Sequence, residues 1–233
     1  MQKVNFKFNS YDWHVYLRDE ADQSVYNEIF KLKEYRSAEE VIKNAKYAIV
    51  DVGAHAGFFS IYCRSLNKKV KIYAVEPEPN NLKLFKQHLV ENKILGVQVF
   101  PGALALQTEE RQLILSSDSH NHHLAQVSFG GEDREEKTIT VQASSFVDFC
   151  KQNKIKRISL LKMDIEGGEY EIFDSMSESD LSMVNYVILE YHNGREKSKE
   201  IEGKLKNNGF GVQIFPSKFD KKMGFIWANN KRI

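Results

Sequence analysis

Cysteine and proline are scarce in this chain, with two cysteines and four prolines among 233 residues. The cysteine count excludes a disulfide-rich scaffold. Because Cys63 and Cys150 lie far apart in apolar helical contexts, we expect two buried thiols in a reducing compartment. The sequence also lacks internal repeats and low-complexity tracts, so no flexible linker is predicted to divide it. A chain of this length should form one globular domain with additions.

An excess of charge and a long apolar run are also missing. Lysine and arginine total 33 against 32 acidic residues, for a formal net charge of +1. This balance gives no electrostatic reason to expect nucleic acid or an anionic membrane as a partner. No run of about eighteen apolar residues is present, so no membrane span is predicted. The segment Met1–Phe8 lacks the apolar core of a signal peptide, and we expect a cytoplasmic protein.

The strongest local pattern lies at residues 47–60. The apolar run Ala48-Ile49-Val50 predicts a buried strand with Asp51 near its end, and Gly53 and Gly57 follow before a helical pattern begins. Glycines permit positive φ and a close approach of backbone to a ligand. The G-x-G-x-x-G fingerprint of dinucleotide-binding proteins is excluded, because His55 stands where its middle glycine would be. A P-loop is excluded as well, because the chain has no G-x-x-x-x-G-K-[ST] motif. The remaining D-x-G-x-x-x-G turn is typical of S-adenosylmethionine-dependent methyltransferases, and an ordinary β–α turn is the alternative.

A second predicted strand, Val70–Val75, ends at Glu76. This acid follows the glycine turn by roughly 20 residues, the distance at which such a carboxylate accepts hydrogen bonds from ribose hydroxyls. A solvated carboxylate is the alternative. We place Pro77 and Asn81, which follow Glu76, in the same donor site.

The third predicted strand, near 97–100, places Gly102 and Ala103 at the mouth of the same crevice. Ligands in open α/β sheets bind outside the carboxyl ends of the strands, so residues after all three strands should surround one ligand.

Carboxylates also follow two later predicted strands. The run Ile158–Met163 ends in Asp164, and the run Val184–Leu189 ends in Glu190, with His192 two residues later. Close carboxylates raise one another's pKa, and a histidine has a suitable unperturbed pKa, so either type of group could deprotonate a hydroxyl. Asp164 and Glu190 could instead bind Mg²⁺ together with a diol substrate. Glu166 and Glu169 have the alternative role of stabilising a helix N-terminus.

Two segments interrupt or precede the α/β pattern. Residues 1–46 are predicted to form strands near 4–8 and 13–18, a helix capped by Asp22 or Ser24, and a helix over 37–45, all as a flank or lid beside the cleft. Residues 103–143 form a β-rich insertion within a domain spanning 47–233. The polar stretch 116–137 holds three histidines, for which metal binding, substrate contact and a mobile loop are alternatives. They are His120, His122 and His123.

The alternation of helices and strands predicts an α/β fold. Three α/β/α layers should surround a mostly parallel sheet, and the runs Phe210–Phe215 and Gly224–Ala228 should add an antiparallel hairpin at its edge.

Four sequence blocks together resemble the FkbM-type methyltransferases. They are Asp51–Ser60, Tyr73–Asn80, Leu161–Glu169 and Leu189–His192. The resemblance implies a Rossmann-like class I methyltransferase fold, S-adenosylmethionine as donor, and O-methylation of a metabolite hydroxyl. Carried over by position, Asp51, Gly53 and Gly57 would line the methionine end of the donor, Glu76 would hold the ribose, and the block 164–169 would face the reaction centre.

The sequence thus predicts an S-adenosylmethionine-dependent O-methyltransferase acting on a small molecule or glycan. Methylation of RNA or protein, and non-catalytic binding of an adenosyl ligand, are the alternatives. The predicted catalytic residues are Asp164, Glu190 and His192. The predicted donor-binding residues are Asp51, Gly53, His55, Gly57, Glu76, Pro77, Asn81, Gly102, Ala103, Asp164 and Glu166.

Overall fold

The computed structural model describes residues 1–116, 122–125, 137–217 and 220–233. Thirteen strands lie in these ranges: β1 (Gln2–Phe8), β2 (Tyr11–Leu17), β3 (Ala48–Val52), β4 (Ile72–Glu76), β5 (Val97–Pro101), β6 (Ala103–Ala105), β7 (Glu109–Ile114), β8 (His123–Leu124), β9 (Thr138–Ser145), β10 (Ile158–Met163), β11 (Val184–Tyr191), β12 (Phe210–Pro216) and β13 (Gly224–Asn230). The α-helices described are α1 (Glu20–Tyr26), α2 (Glu39–Lys43), α3 (Phe58–Leu66), α4 (Pro79–Glu91), α5 (Phe146–Gln152), α6 (Glu169–Ser175), α7 (Glu178–Ser182) and α8 (Gly194–Asn207).

The central sheet has seven strands in the order β12-β13-β11-β10-β3-β4-β5. Five adjacent strands form the parallel part of this sheet, in the order β11, β10, β3, β4 and β5. Strand β13 is antiparallel to both β11 and β12, between which it lies. The predicted parallel sheet with an antiparallel C-terminal hairpin is therefore confirmed.

Both faces of this sheet are covered, which makes three layers. Adjacent residues on one strand point to opposite faces. Val50 and Leu161 belong to one buried apolar cluster, whereas Ile49 and Leu160 belong to another. All four side chains are fully buried. Near-continuous apolar runs in β3 and β10 are what a sheet buried on both faces requires.

Register aligns the ends of the central strands. Lys162 on β10 pairs with Asp51 on β3, and the next residue, Met163, pairs with both Val52 and Leu189. The residues that follow on these strands therefore meet at one edge of the sheet. Strand β11 continues two residues further than predicted, so Glu190 lies within the strand and not after it.

The N-terminal segment forms a hairpin followed by helical turns. Strands β1 and β2 pair antiparallel, and α1 passes into a π-helical turn over Asn27–Leu32. The predicted cap at Asp22 or Ser24 is wrong, because Asp19 caps α1 by accepting a hydrogen bond from the backbone N–H of Asp22. The Asp22 carboxylate instead binds the side chain of Arg18.

The described part of the insertion forms a separate four-stranded sheet in the order β6-β9-β7-β8. Strands β6 and β7 and most of β9 lie within residues 103–143, which the sequence predicts to be rich in strands. His122 and His123 lie within the described part of the loop, whereas His120 lies outside the described residues.

Cys63 and Cys150 are free and buried, as expected from the sequence. Among the helices of the described ranges, none has the length and apolar character needed to cross a membrane.

Candidate active site

A cavity of about 890 Å³ opens at the carboxyl ends of the central strands. Its floor consists of residues that end or follow β3, β4, β10 and β11. Three other segments form its walls: the N-terminal flank, the insertion, and the connection between β12 and β13. Wall residues include Glu28, Tyr35, His123, Leu124 and Phe225. The cavity thus lies where open α/β sheets bind their ligands.

The glycine turn forms part of the floor. Gly53 has φ of 76° and Gly57 has φ of 83°, a conformation that side chains other than glycine rarely adopt. A Cβ atom on Gly53 would lie 1.8 Å from the backbone oxygen of Asp164, and one on Gly57 would lie 2.0 Å from the ring of Phe85. Both glycines are therefore required by close packing as well as by backbone conformation.

Glu76 lies buried at the end of β4, next to this turn. Its Oε2 accepts a hydrogen bond from the backbone N–H of His55 at 2.8 Å. Its Oε1 accepts hydrogen bonds from the backbone N–H of Glu78 at 2.9 Å and from Asn81 Nδ2 at 3.2 Å. These bonds fix the carboxylate so that it borders the cavity. Burial raises the pKa of Glu76 to about 7, although the hydrogen bonds lower it.

The buried carboxyl of Glu76 should make stability depend on pH. Its folded pKa of about 7 lies above the value near 4.3 in an unfolded chain. The folded protein therefore retains a proton that the unfolded chain releases. As pH rises through this interval, the free energy of unfolding should fall by at most about 1.4 kcal/mol per unit of pKa difference. Denaturation between about pH 5 and about pH 8 measures the effect. The Glu76→Gln variant should lose this part of the pH dependence, and identical profiles for the two proteins would contradict the assignment.

An ionic network joins the flank to two of the predicted donor-binding residues. Asp22 is fully buried and is bound by Arg18 through two side-chain contacts of 2.7 and 2.8 Å. Arg18 also donates to Asn81 Oδ1 at 2.7 Å and lies 3.3 Å from His55 Nε2. Burial lowers the pKa of Arg18, but hydrogen bonding and the charge of Asp22 more than compensate, so the net shift is upward. This network holds the flank against two predicted donor-binding residues.

Removing the guanidinium should test the network. The variant Arg18→Ala removes the guanidinium that pairs with the buried carboxylate of Asp22 and leaves His55 Nε2, at 3.3 Å, beside it. The loss should lower the free energy of unfolding by about 3 kcal/mol. The double variant with Asp22→Asn removes the stranded charge and should be less damaged than the sum of the two single variants. Chemical denaturation of all four proteins provides the double-mutant cycle. Strictly additive losses would show that the pair contributes no coupling.

A buried lysine, which the sequence analysis did not single out, lies beneath the turn. Lys162 Nζ donates to the backbone oxygen of Gly53 at 2.8 Å and lies 3.5 Å from Asp51 Oδ1 and 3.8 Å from Asp164 Oδ2. Burial lowers the pKa of Lys162, but Asp51 and Asp164 together raise it above its ordinary value. Asp51 itself is fully buried, accepts a hydrogen bond from Ser60, and is not among the cavity-lining residues. The apolar run around Lys162 was a signal, since a lysine inside a buried strand needs a charged partner.

Asp164, Glu190 and His192 come together at the other end of the floor. One ligand atom from each lies within 4.8 Å of the others. Burial, followed by the charge of Asp164, raises the pKa of Glu190 to about 9. The predicted effect of a neighbouring carboxylate on a carboxyl pKa is therefore present at Glu190.

A fourth residue, Glu169, orients the histidine. His192 Nδ1 lies 2.6 Å from Oε1 of Glu169, which is fully buried in the first turn of α6. Tyr170 in addition donates its hydroxyl to the backbone oxygen of His192. Burial lowers the pKa of His192, but Glu169 and Glu166 raise it to about 10. Because this pKa lies above the ordinary value of a histidine, the arrangement favours the protonated imidazole at neutral pH.

The predicted site residues divide into two groups by position. Those that line the cavity are Gly53, His55, Glu76, Pro77, Asn81, Ala103, Asp164, Glu166 and Glu190. Those outside the lining set are Asp51, Gly57, Gly102 and His192. His122 and His123 of the insertion also line the cavity. One cavity therefore joins the predicted donor residues to the predicted catalytic carboxylates.

Solved structures of similar shape define the class of the fold. Precorrin-6y C5,15-methyltransferase from Geobacter metallireducens has 12% sequence identity and a TM-score of 0.51, covering 87% of this chain and 90% of that one. SMU.1697c from Streptococcus mutans, solved in complex with SAH, has 10% identity and a TM-score of 0.50, covering 84% and 96%. The fold is that of the Rossmann-like class I methyltransferases.

The sequence then identifies the family within this class. Residues 51–212 match the model of the methyltransferase FkbM domain. The methyltransferase sdnD of Sordaria araneosa is 27% identical over 228 residues, covering 83% of this chain and 88% of the relative. The hexuronic acid methyltransferase AglP of Haloferax volcanii is 25% identical over 181 residues, covering 74% and 69%. The chain belongs to the FkbM methyltransferase family, as its sequence blocks indicated.

Proposed function

We propose that this methyltransferase uses S-adenosylmethionine to methylate a hydroxyl group of a small molecule or glycan. The observation that carries the proposal is the single cavity that connects Gly53 and Glu76 to Asp164 and Glu190. At the first end, the buried Glu76 carboxylate can accept hydrogen bonds from the two ribose hydroxyls of the donor. The presence of SAH in the similar fold of SMU.1697c supports this choice of donor.

The second end of the cavity supplies the groups for the transfer. An acceptor oxygen near Asp164 and Glu190 would attack the methyl carbon and form the new C–O bond. The C–S bond breaks, and its electron pair stays on sulfur, which becomes the neutral thioether of S-adenosylhomocysteine. The hydroxyl proton passes to a carboxylate at this end. Such a transfer depends mainly on an in-line arrangement within a site that excludes water.

The shape of the cavity supports a small acceptor. A volume of about 890 Å³ falls within the range of small-molecule and cofactor sites. The insertion contributes His122, His123 and Leu124 to one wall, which narrows access from that side. The relative AglP, whose name gives hexuronic acid as its acceptor, favours a sugar or similar hydroxylated metabolite over RNA or protein.

Two measurements test the proposal. Calorimetric titration with S-adenosylmethionine and S-adenosylhomocysteine should show micromolar-range affinity, about −8 kcal/mol. Incubation with donor carrying a labelled methyl group and a panel of sugars, uronic acids and hydroxylated lactones should then transfer label, and Asp164→Asn should reduce that transfer. Failure to bind either ligand would refute the donor assignment. Binding without transfer to any acceptor would favour a non-catalytic adenosyl-ligand-binding protein.

A further inference from the structure

We propose that Asp164, Glu190 and His192 bind a divalent cation that holds the acceptor oxygen. The cation site itself follows from the described side chains, whereas its role toward the acceptor rests on the proposed function. Asp164 and Glu190 line the cavity, and the buried His192 has a ring nitrogen within 4.8 Å of their ligand oxygens. Three ligands from the ends of two neighbouring strands would thus fix an ion at the cavity wall.

The spacing of the ligand atoms fits one ion. Two ligands of the same ion lie no farther apart than about twice the ligand–ion distance, roughly 4–5 Å. Here one carboxylate oxygen each from Asp164 and Glu190 and one nitrogen of His192 all lie within 4.8 Å of one another. The register of β10 and β11, which pairs Met163 with Leu189, keeps these three residues side by side. Around Mg²⁺, with ligand distances of about 2.1 Å, the three atoms would draw slightly closer together.

The histidine supplies a second, independent observation. His192 is only 8% exposed, yet its Nε2 makes no hydrogen bond to any described group. Nε2 lies 3.4 Å from Glu166 Oε2. Because Nδ1 is engaged by Glu169, Nε2 is the ring nitrogen left to bind an ion. A buried ring nitrogen that makes no hydrogen bond to the described residues, on a residue clustered with two carboxylates, can act as a metal ligand.

Glu169 completes the arrangement as a positioning residue. Histidines that bind metals commonly donate their other ring N–H to a carboxylate, which fixes both tautomer and ring orientation. Glu169 is fully buried and lies 2.6 Å from Nδ1, so it can serve this purpose. Coordination requires a neutral imidazole, and the cation therefore takes the place of the proton on Nε2.

The charge of the cavity also favours a cation. Among the described lining residues, eight carboxylates face a single lysine: Glu28, Glu34, Glu76, Asp164, Glu166, Glu171, Glu190 and Asp220 against Lys162. Lys162 is already paired with Asp51 and Asp164. A divalent cation would offset the charge of those carboxyl groups that are ionised at the Asp164–Glu190 end of the cavity.

The ligand set indicates the kind of cation. Carboxylates suit Mg²⁺ and Mn²⁺, and an imidazole among them shifts the preference toward Mn²⁺. A hydroxyl bound to the ion becomes more acidic and is held in a fixed position. Each ligating carboxylate retains a second oxygen, which can still accept the hydroxyl proton.

The test measures binding of MnCl₂ to the protein after a chelator has removed any bound metal. Calorimetry and electron paramagnetic resonance report the binding. We expect one equivalent of Mn²⁺ to bind in the absence of donor and acceptor, with nitrogen coupling from the imidazole in its spectrum. His192→Gln should abolish that coupling, and Glu169→Gln should weaken binding roughly 10- to 100-fold. Glu34→Gln, a carboxylate of the same cavity outside the cluster, serves as the matched control and should retain binding.

The outcomes separate this proposal from the proposed function, because S-adenosylhomocysteine binding is measured on the same samples. Binding of S-adenosylhomocysteine without saturable Mn²⁺ binding up to about 1 mM would overturn the cation site and leave the methyltransferase assignment intact. Mn²⁺ binding that is unchanged in His192→Gln, or lost equally in Glu34→Gln, would also overturn it. Mn²⁺ binding without affinity for the donor would leave the cation site standing and remove its assigned role. Thermal melts establish that each variant is folded.

Discussion

Replacing Gly53 with alanine should lower the free energy of unfolding by about 3 kcal/mol or more, or prevent folding altogether. The new Cβ would lie 1.8 Å from the backbone oxygen of Asp164 and 2.9 Å from Ile165 Cγ2. A backbone oxygen at the end of β10 cannot move aside without breaking the contact between the ends of β3 and β10. The positive φ of 76° adds strain for any residue with a side chain. Chemical denaturation measures the loss, and the yield of soluble protein reports a failure to fold.

The chain provides a matched control for this substitution. Gly203 lies inside α8, where an added Cβ would have no atom of the described residues within 4 Å. Alanine has the higher helix propensity, so Gly203→Ala should raise the free energy of unfolding by up to about 1 kcal/mol. If Gly53→Ala were as stable as wild type, the close approach of the turn to β10 would be disproved.

Replacing Glu76 with alanine should weaken binding of S-adenosylhomocysteine at least about 100-fold, because two charge-assisted hydrogen bonds of about 1.5–3 kcal/mol each are lost. The same change removes the acceptor that fixes the backbone N–H of His55, so the glycine turn also loses a support. Both effects act on the donor end of the cavity. Calorimetric titration of the two proteins gives the ratio of dissociation constants.

A surface glutamate separates this effect from a general loss of charge. The Glu196 side chain is 86% exposed on α8, and Glu196→Ala should leave the affinity for S-adenosylhomocysteine unchanged. Glu76→Gln retains an oxygen acceptor and should fall between wild type and Glu76→Ala. A Glu76→Ala variant that binds the ligand as tightly as wild type would remove Glu76 from the donor site.

Much of the fold could be predicted from local sequence patterns. Mainly apolar runs predicted the bounds of β10 and the start of β11, and the glycines at 53 and 57 indicated the turn before α3. These features depend on residues that are neighbours in sequence. The parallel order of the sheet then places Asp164 and Glu190 side by side, which is why this pair was predicted correctly as neighbours.

Contacts between distant segments could not be read in the same way. Arg18 is hydrogen-bonded to Asn81, which is 63 residues away in the sequence. Lys162 is hydrogen-bonded to Gly53, which is 109 residues away. No local periodicity specifies such partners. The first turn of α1 shows the same limit at short range, since Asp19 and Asp22 are both good capping residues. The Asp22 carboxylate accepts a hydrogen bond from Arg18, and Asp19 therefore caps the helix.

The position of β13 has a consequence for synthesis on the ribosome. Strand β12 pairs with β13, and β13 alone joins it to β11, so β12 has no place in the sheet until residues 224–230 have been translated. Domains fold during translation from their N-terminal parts, but this sheet is completed only after residues 224–230 have emerged. Phe225 and Trp227 of β13 also belong to the cavity wall. A nascent chain released before these residues are made would therefore expose an unfinished sheet edge to chaperones and lack part of its cavity.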